Sequence, residues 1–301
     1  MDHHIHNHSS KATDLNRAFV LGIGLNALYV IIELSAGFYY NSLALISDAG
    51  HNLSDVAALA LALLAFRLTR VKATEKFTYG YRKSTILVSL INSVVLFVAI
   101  GGITWESFHR LQHPVEIAGL PMSIVAGIGI VINSISAMLF FRQKDSDLNV
   151  RGAYIHLVAD AAVSLGVVVS GILISLFHIY WIDIAMSLVI VLVIFYSTWK
   201  LFKDSLSLTL DGVPNGVDLS KVTDAIKAVD GVIDLHHLHV WAISTSQNAL
   251  TAHIIIHQDI KMSELRLLKK NIKHKLEHAN VHHATLEFEN ADENCQDTHK
   301  K

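Results

Sequence analysis

Apolar residues run in long blocks through the first two thirds of the chain. Six blocks stand out, at about 17–38, 43–66, 85–107, 120–141, 152–177 and 182–200, separated by short polar stretches. Each is close to the roughly 20 residues that an α-helix needs to cross a 30 Å hydrocarbon core. They predict a six-helix, all-α transmembrane bundle within residues 17–209. The first block is too long for a cleaved signal, it carries Glu33, and a second apolar block follows at once, so it reads as a span. Residues 1–16 form a histidine-rich N-terminal segment ahead of it.

The pattern changes at Asp211-Gly212-Val213-Pro214-Asn215-Gly216, which is turn chemistry and marks a domain boundary. Residues 210–289 then read as a soluble domain. Leu219, Val222, Ile226 and Val229 recur at helical spacing, and Gly231 ends that helix. Residues 232–243 and 249–257 read as strands, with a turn around Ser246-Gln247-Asn248. Ser263 is positioned to cap a second helix bearing Leu265, Leu268, Ile272 and Leu276 on one stripe. A last strand runs near 282–289, and residues 290–301 are a polar tail. The order α-β-β-α-β predicts a ferredoxin-like α+β domain, with helices on one face of a sheet. A domain this small buries little surface, so contact with a partner would help it.

Charge refines the picture. Lys+Arg is 24 and Asp+Glu is 26, for a net charge of -2, which argues against a nucleic-acid partner. The positive residues are unevenly distributed. Arg67, Arg70, Lys72, Lys76, Arg82 and Lys83 lie between the second and third blocks, and Arg142, Lys144 and Arg151 between the fourth and fifth. The alternate loops hold Arg110 alone. Positive loops stay in the cytoplasm, so both termini and the soluble domain are expected there. A soluble multi-helix core would instead show polar helix faces, and this asymmetry would be accidental. There is 1 cysteine against 19 histidines, which excludes intramolecular disulfides and cysteine-held metal clusters.

Ionisable residues inside a span default to function. The second block holds Asp48, His51 and Asp55, and the fifth holds His156 and Asp160. His-x-x-x-Asp thus occurs twice, at His51/Asp55 and at His156/Asp160. The i, i+4 spacing puts both side chains of each pair on one helix face. Two such faces offer two imidazole nitrogens and two carboxylates, a ligand set suited to tetrahedral Zn²⁺. Depth agrees. At 1.5 Å per residue, His51 and Asp55 fall roughly 13 and 19 Å below the outer surface, and Asp160 and His156 roughly 16 and 22 Å. Polar pairs that only tie helices together are the alternative, and serine or asparagine would serve that purpose more cheaply. Asp48, one turn before His51, either holds a ligand from outside the coordination sphere or packs helices. Glu33 and Asp183 read equally as structural residues or as part of a path.

The stretch from Asn41 to Asp55, NSLALISDAGHNLSD, resembles the second-helix signature of the cation diffusion facilitator family. His156-Leu157-Val158-Ala159-Asp160 resembles its fifth-helix motif. The six blocks and the α+β tail match the family's plan over nearly the whole chain. The likeness is to the bacterial cobalt–zinc–cadmium resistance branch and to related animal zinc transporters. It implies a homodimer in the bacterial cytoplasmic membrane that exports divalent metal, Zn²⁺ first with Cd²⁺ and Co²⁺ open, in exchange for protons. His51, Asp55, His156 and Asp160 match the transport-site positions. Members with histidine where His51 stands tend to prefer zinc, in line with imidazole's affinity for that ion. The segment from His236 to Trp241, and Thr285-Leu286-Glu287-Phe288-Glu289, resemble the family's cytoplasmic domain. By that match His236, His253, His282 and Glu289 fit positions that bind Zn²⁺ as a regulatory ligand in some members. Strand alternation puts His237 and His239 on one face and His236 on the other. The run from His3 to His8 could hold metal loosely or be dispensable.

Other classes fit less well. A membrane metalloenzyme needs an open coordination position and a general base, yet no HExxH motif is present. A pure metal sensor leaves the midplane ligands unexplained. A channel would carry metal without proton coupling. The sequence has no P-loop, so ATP drive is not expected.

Overall fold

In the computed structural model, residue 24 and residues 26–69, 71–141, 148–257 and 260–290 are described. A helix α1 covers 26–39. It is followed by α2 (Leu43–Thr69), α3 (Ser84–Gln112), α4 (Gly119–Phe141), α5 (Leu148–Phe177) and α6 (Trp181–Thr209). The chain forms two compact units, with boundaries at Ala60/Leu61, Ile91/Asn92 and Trp199/Lys200.

Four helical stretches are long and apolar enough to cross a membrane among the described residues: Ser84–Gln112, Gly119–Met138, Tyr154–Phe177 and Trp181–Thr209. Six were expected. The first expected span begins outside the described residues, and α2 carries Asp48, His51, Asn52 and Asp55 in its first half, which lowers its apolar character. The helical unit buries polar side chains among its apolar core and exposes apolar ones on its outside. Ser47, Asp48, Ser93, Ser107, Ser164, Asp183 and Ser187 are fully buried, while Val98 is 73% and Trp105 77% exposed. Water would penalise that distribution, and a hydrocarbon surround favours it.

Small residues bring α4 and α5 together. A Cβ on Gly171 would lie 2.6 Å from the Gly119 carbonyl oxygen and would also strike Ser123 Oγ. Ser123 Oγ donates across the gap to the Val168 carbonyl at 3.0 Å. Leu45, Met122, Val167, Ile174 and Ile190 build the apolar core of this unit. On α1, the Tyr29 hydroxyl donates to Glu33 at 2.7 Å, and Asn52 Nδ2 donates to the other Glu33 oxygen at 3.2 Å. Gly129 on α4 leaves the room that the Tyr29 ring occupies.

The second unit contains the α+β domain. Its elements are α7 (Leu219–Lys227), β1 (Val232–Ser244), β2 (Gln247–Ile256), α8 (Met262–His278) and β3 (His283–Asn290), in the expected order. Strand β2 is central, antiparallel to β1 and parallel to β3. Helix α8 provides the crossover that a parallel pair requires. Val222 and Ile226 of α7, Leu250 and Ile254 of β2, and Leu268, Ile272 and Leu276 of α8 share one buried core. Asp218 caps α7, accepting from the backbone N–H groups of Ser220 at 3.0 Å and Lys221 at 3.3 Å. Gly231, at φ +95°, makes the turn into β1.

Two local expectations are corrected. Helix α8 starts at Met262 with Lys261 in the cap position, not with Ser263. Glu264 reaches back to accept the Lys261 N–H at 3.1 Å, the half of a capping box that needs no serine. The hairpin turns at Thr245-Ser246, so Gln247 and Asn248 already belong to β2. Ser244 Oγ accepts the Ser246 N–H at 3.2 Å and closes that turn. The basic α2–α3 connection lies in this unit. Lys83 Nζ meets Asp211 at 2.6 Å, and Arg82 donates to Gln247 Oε1 at 2.7 Å.

Candidate metal centre

The site is made by α2 and α5. Within each helix, i, i+4 spacing aligns one histidine with one aspartate. The helices run antiparallel, so residue numbers rise on one as they fall on the other. His51 therefore faces Asp160, with Nε2 to Oδ1 at 3.6 Å, and Asp55 faces His156, with Oδ2 to Nε2 at 3.1 Å. The within-helix separations are 3.8 Å for His51–Asp55 and 3.5 Å for His156–Asp160. The imidazole rings meet edge to face, with centroids 5.8 Å apart.

These distances suit a small tetrahedral ion. Zinc bonds of about 2.0–2.1 Å imply ligand-to-ligand edges of about 3.3 Å, and the four nitrogen–oxygen separations lie on either side of that value. Ligand atoms of His51, His156 and Asp160 all lie within 4.8 Å of one another; Asp55 stands at the edge of this group, its Oδ2 3.1 Å from His156 and 3.8 Å from His51. The donors are mixed nitrogen and oxygen with no thiolate, a set that suits zinc and its neighbours better than a hard ion such as Mg²⁺.

Asp48 continues the same ladder. One turn before His51, its Oδ2 accepts from Ser164 Oγ of α5 at 3.1 Å. The contact is to a helix-pairing serine, not to one of the four candidate ligands. Ser164 escaped the sequence reading, although it stands four residues after Asp160 and so shares its face. Beside His51, Asn52 ties α2 to Glu33 of α1.

The α+β domain holds a second cluster. His253 Nδ1 lies 2.5 Å from Glu289 Oε1, and His236 Nε2 lies 3.3 Å from Glu289 Oε2. His236 and His253 are cross-strand partners in the β1–β2 register. Glu287 joins from β3, 3.6 Å from His253 Nε2. His282, expected in this group, is elsewhere. It stands just before β3, seven residues and so about 23 Å from Glu289 at roughly 3.3 Å per residue. There its Nδ1 accepts the Asn248 N–H at 3.4 Å. Strict alternation also fails on β1. His237 has φ +48°, and the register shifts between His236 and His239. A bulge of this kind re-aims side chains. It brings the His236 and His237 rings to 5.2 and 5.1 Å from the His253 ring.

Comparison with known proteins agrees with this architecture. Residues 19–209 match the cation efflux transmembrane domain, and residues 214–291 match the cytoplasmic domain of cation efflux proteins. The chain belongs to the cation efflux family, a family of transporters, and is a multi-pass membrane protein. A cadmium, cobalt and zinc/H(+)-K(+) antiporter of Bacillus subtilis is 34% identical over 288 residues, spanning 95% of this chain and 91% of that protein. The metal cation efflux system protein CzcD of Cupriavidus metallidurans is 36% identical over 275 residues, spanning 91% and 86%. The zinc transporter ZitB of Escherichia coli is 32% identical over 292 residues, spanning 95% and 92%.

Proposed function

We propose that this protein is a zinc efflux transporter that works as a homodimer and exchanges cytoplasmic Zn²⁺ for protons by alternating access. Cd²⁺ and Co²⁺ are the further substrates that the relatives' names suggest. The observation that carries the reading is the convergence of His51 and Asp55 from α2 with His156 and Asp160 from α5, at nitrogen–oxygen separations of 3.1–3.8 Å. In this reading residues 17–209 form six spans, residues 210–289 form a cytoplasmic dimerisation domain, and both termini lie in the cytoplasm. The polar tail 290–301 and the N-terminal segment 1–16 flank them.

Imidazole binds metal only when neutral, and its ordinary pKa is near 6.5. A proton arriving at His51 or His156 therefore expels Zn²⁺, and Zn²⁺ arriving expels the proton. A site open to one side at a time turns that competition into exchange. His236, His253 and Glu289, with Glu287 and His237 beside them, bind cytoplasmic Zn²⁺ as a regulatory ligand and tighten the dimer.

The test is Zn²⁺ flux into proteoliposomes with and without an imposed pH gradient. The expected outcome is gradient-driven zinc accumulation accompanied by counter-movement of protons. Zinc flux that ignores the gradient would refute antiport and favour a channel.

A further inference from the structure

The N-terminus of α2 is held from another helix. Asp183, at the start of α6, is fully buried. Its Oδ1 accepts from Ser42 Oγ at 2.6 Å and from the Ala44 N–H at 3.2 Å, and its Oδ2 accepts from the Leu43 N–H at 2.7 Å. Ser42 Oγ in turn accepts the Leu45 N–H at 3.1 Å. The first N–H groups of a helix have no partner within it, and a carboxylate there also meets the positive end of the helix dipole. Helix α2 has no acidic residue in its own first turn, so Asp183 supplies that carboxylate. Arg110 of α3 donates to the Asn41 carbonyl on the same turn, and Ser107 of α3 is 3.2 Å from Ser187 of α6. The turn before α2 is thus clasped by α3 and α6, neither of which contributes a candidate ligand.

We infer that Asp183 is a positioning residue for the metal centre, fixing α2 along its axis so that His51 and Asp55 stay level with Asp160 and His156. The inference rests on the proposed metal-binding role of those four residues. The magnitudes favour it. Metal–ligand distances are held to about 0.2 Å, whereas a slip of one helical residue moves a side chain by about 1.5 Å. Among the described residues three polar pairs face each other across α2 and α5. In the proposed reading His51–Asp160 and Asp55–His156 change partners when metal binds, which leaves Asp48–Ser164 and the apolar core to hold the register from within the pair.

The experiment uses the full chain with His236→Ala and His253→Ala, so that the sheet cluster does not report, and Co²⁺ as the spectroscopic probe, with the Asp160-dependent signal assigned to the membrane site. The parent, Asp160→Ala, Asp183→Asn and Ser42→Ala are compared. Asparagine keeps the volume of Asp183 but places an NH₂ where an acceptor is needed. Asp183→Asn is expected to weaken Co²⁺ binding and raise the zinc KM about five- to tenfold, the scale of a lost helix cap. It should also alter the visible Co²⁺ band, which reports coordination geometry, while the dimer stays intact. Ser42→Ala removes one of the three hydrogen bonds to Asp183, together with the acceptor of the Leu45 N–H, and should shift the same quantities two- to threefold, within the range of a weak cap loss. An Asp160-dependent band that is unchanged in Asp183→Asn, with zinc KM unchanged, overturns the inference while leaving the metal site standing. A parent that shows no Asp160-dependent band overturns both. If Asp183→Asn does not insert, Ser42→Ala decides, and parental values there overturn the inference.

Discussion

Asp55 and His156 meet across the α2–α5 pair, carboxylate Oδ2 to imidazole Nε2 at 3.1 Å. One residue comes from each half of the proposed ligand set, so neither helix alone offers all four groups. In the proposed reading a bound ion bridges α2 and α5.

Replacing Asp160 or Asp55 with alanine should therefore abolish transport without unfolding the protein. Outer partners of metal ligands are worth about 10–100-fold in affinity, and a direct ligand should cost at least the upper figure. The measurement is Zn²⁺ binding by calorimetry together with flux in proteoliposomes. Wild-type flux in the double variant would contradict the assignment.

Zinc affinity at the membrane site should rise with pH between about 5 and 8. Each histidine that must lose a proton contributes up to about tenfold per pH unit below its pKa. Two histidines set a ceiling of about a hundredfold per unit. Replacing His51 with aspartate should flatten the profile, because a carboxylate is already ionised over that range. Binding isotherms at several pH values check this.

The sheet cluster should bind zinc independently of the membrane site. In an Asp160→Ala background, His253→Ala should remove the remaining tight zinc equivalent, because His253 touches both Glu289 and Glu287. His282→Ala should leave it unchanged, since His282 serves Asn248 at the other end of the strand. Zinc stoichiometry by calorimetry distinguishes the two.

Gly171→Ala should destabilise the α4–α5 hairpin by about 1–3 kcal/mol, the usual range for overpacking. Its new methyl would meet the Gly119 carbonyl oxygen, which is backbone and cannot rotate away. Gly127→Ala, with open space at that position, should be nearly neutral. Unfolding in graded denaturing detergent measures the difference.

The convergence of His51 and Asp55 with His156 and Asp160 was legible because helix geometry makes i, i+4 a constant. Two HxxxD pairs at matched depth needed only the assumption that the helices are antiparallel. The α-β-β-α-β order was legible for the same kind of reason, through Val222/Ile226 and Leu268/Ile272/Leu276 at helical spacing. Long-range partners were hidden. Ser42 and Asp183 are 141 residues apart, and no local period links them. His237 defeated alternation because a bulge depends on how β1 pairs with β2. His282 had the right chemistry at the wrong end of β3, which only the sheet register reveals.

Neither ligand cluster contains sulfur. The donors are imidazole and carboxylate throughout, and Cys295 lies outside the described residues. Thiolate sites lose their metal when oxidised to disulfide or sulfenic acid, and oxidants thereby raise free zinc in a cell. Imidazole and carboxylate donors do not undergo that thiol oxidation. In the proposed reading the transport site therefore keeps its donors when oxidants strip zinc from thiol proteins.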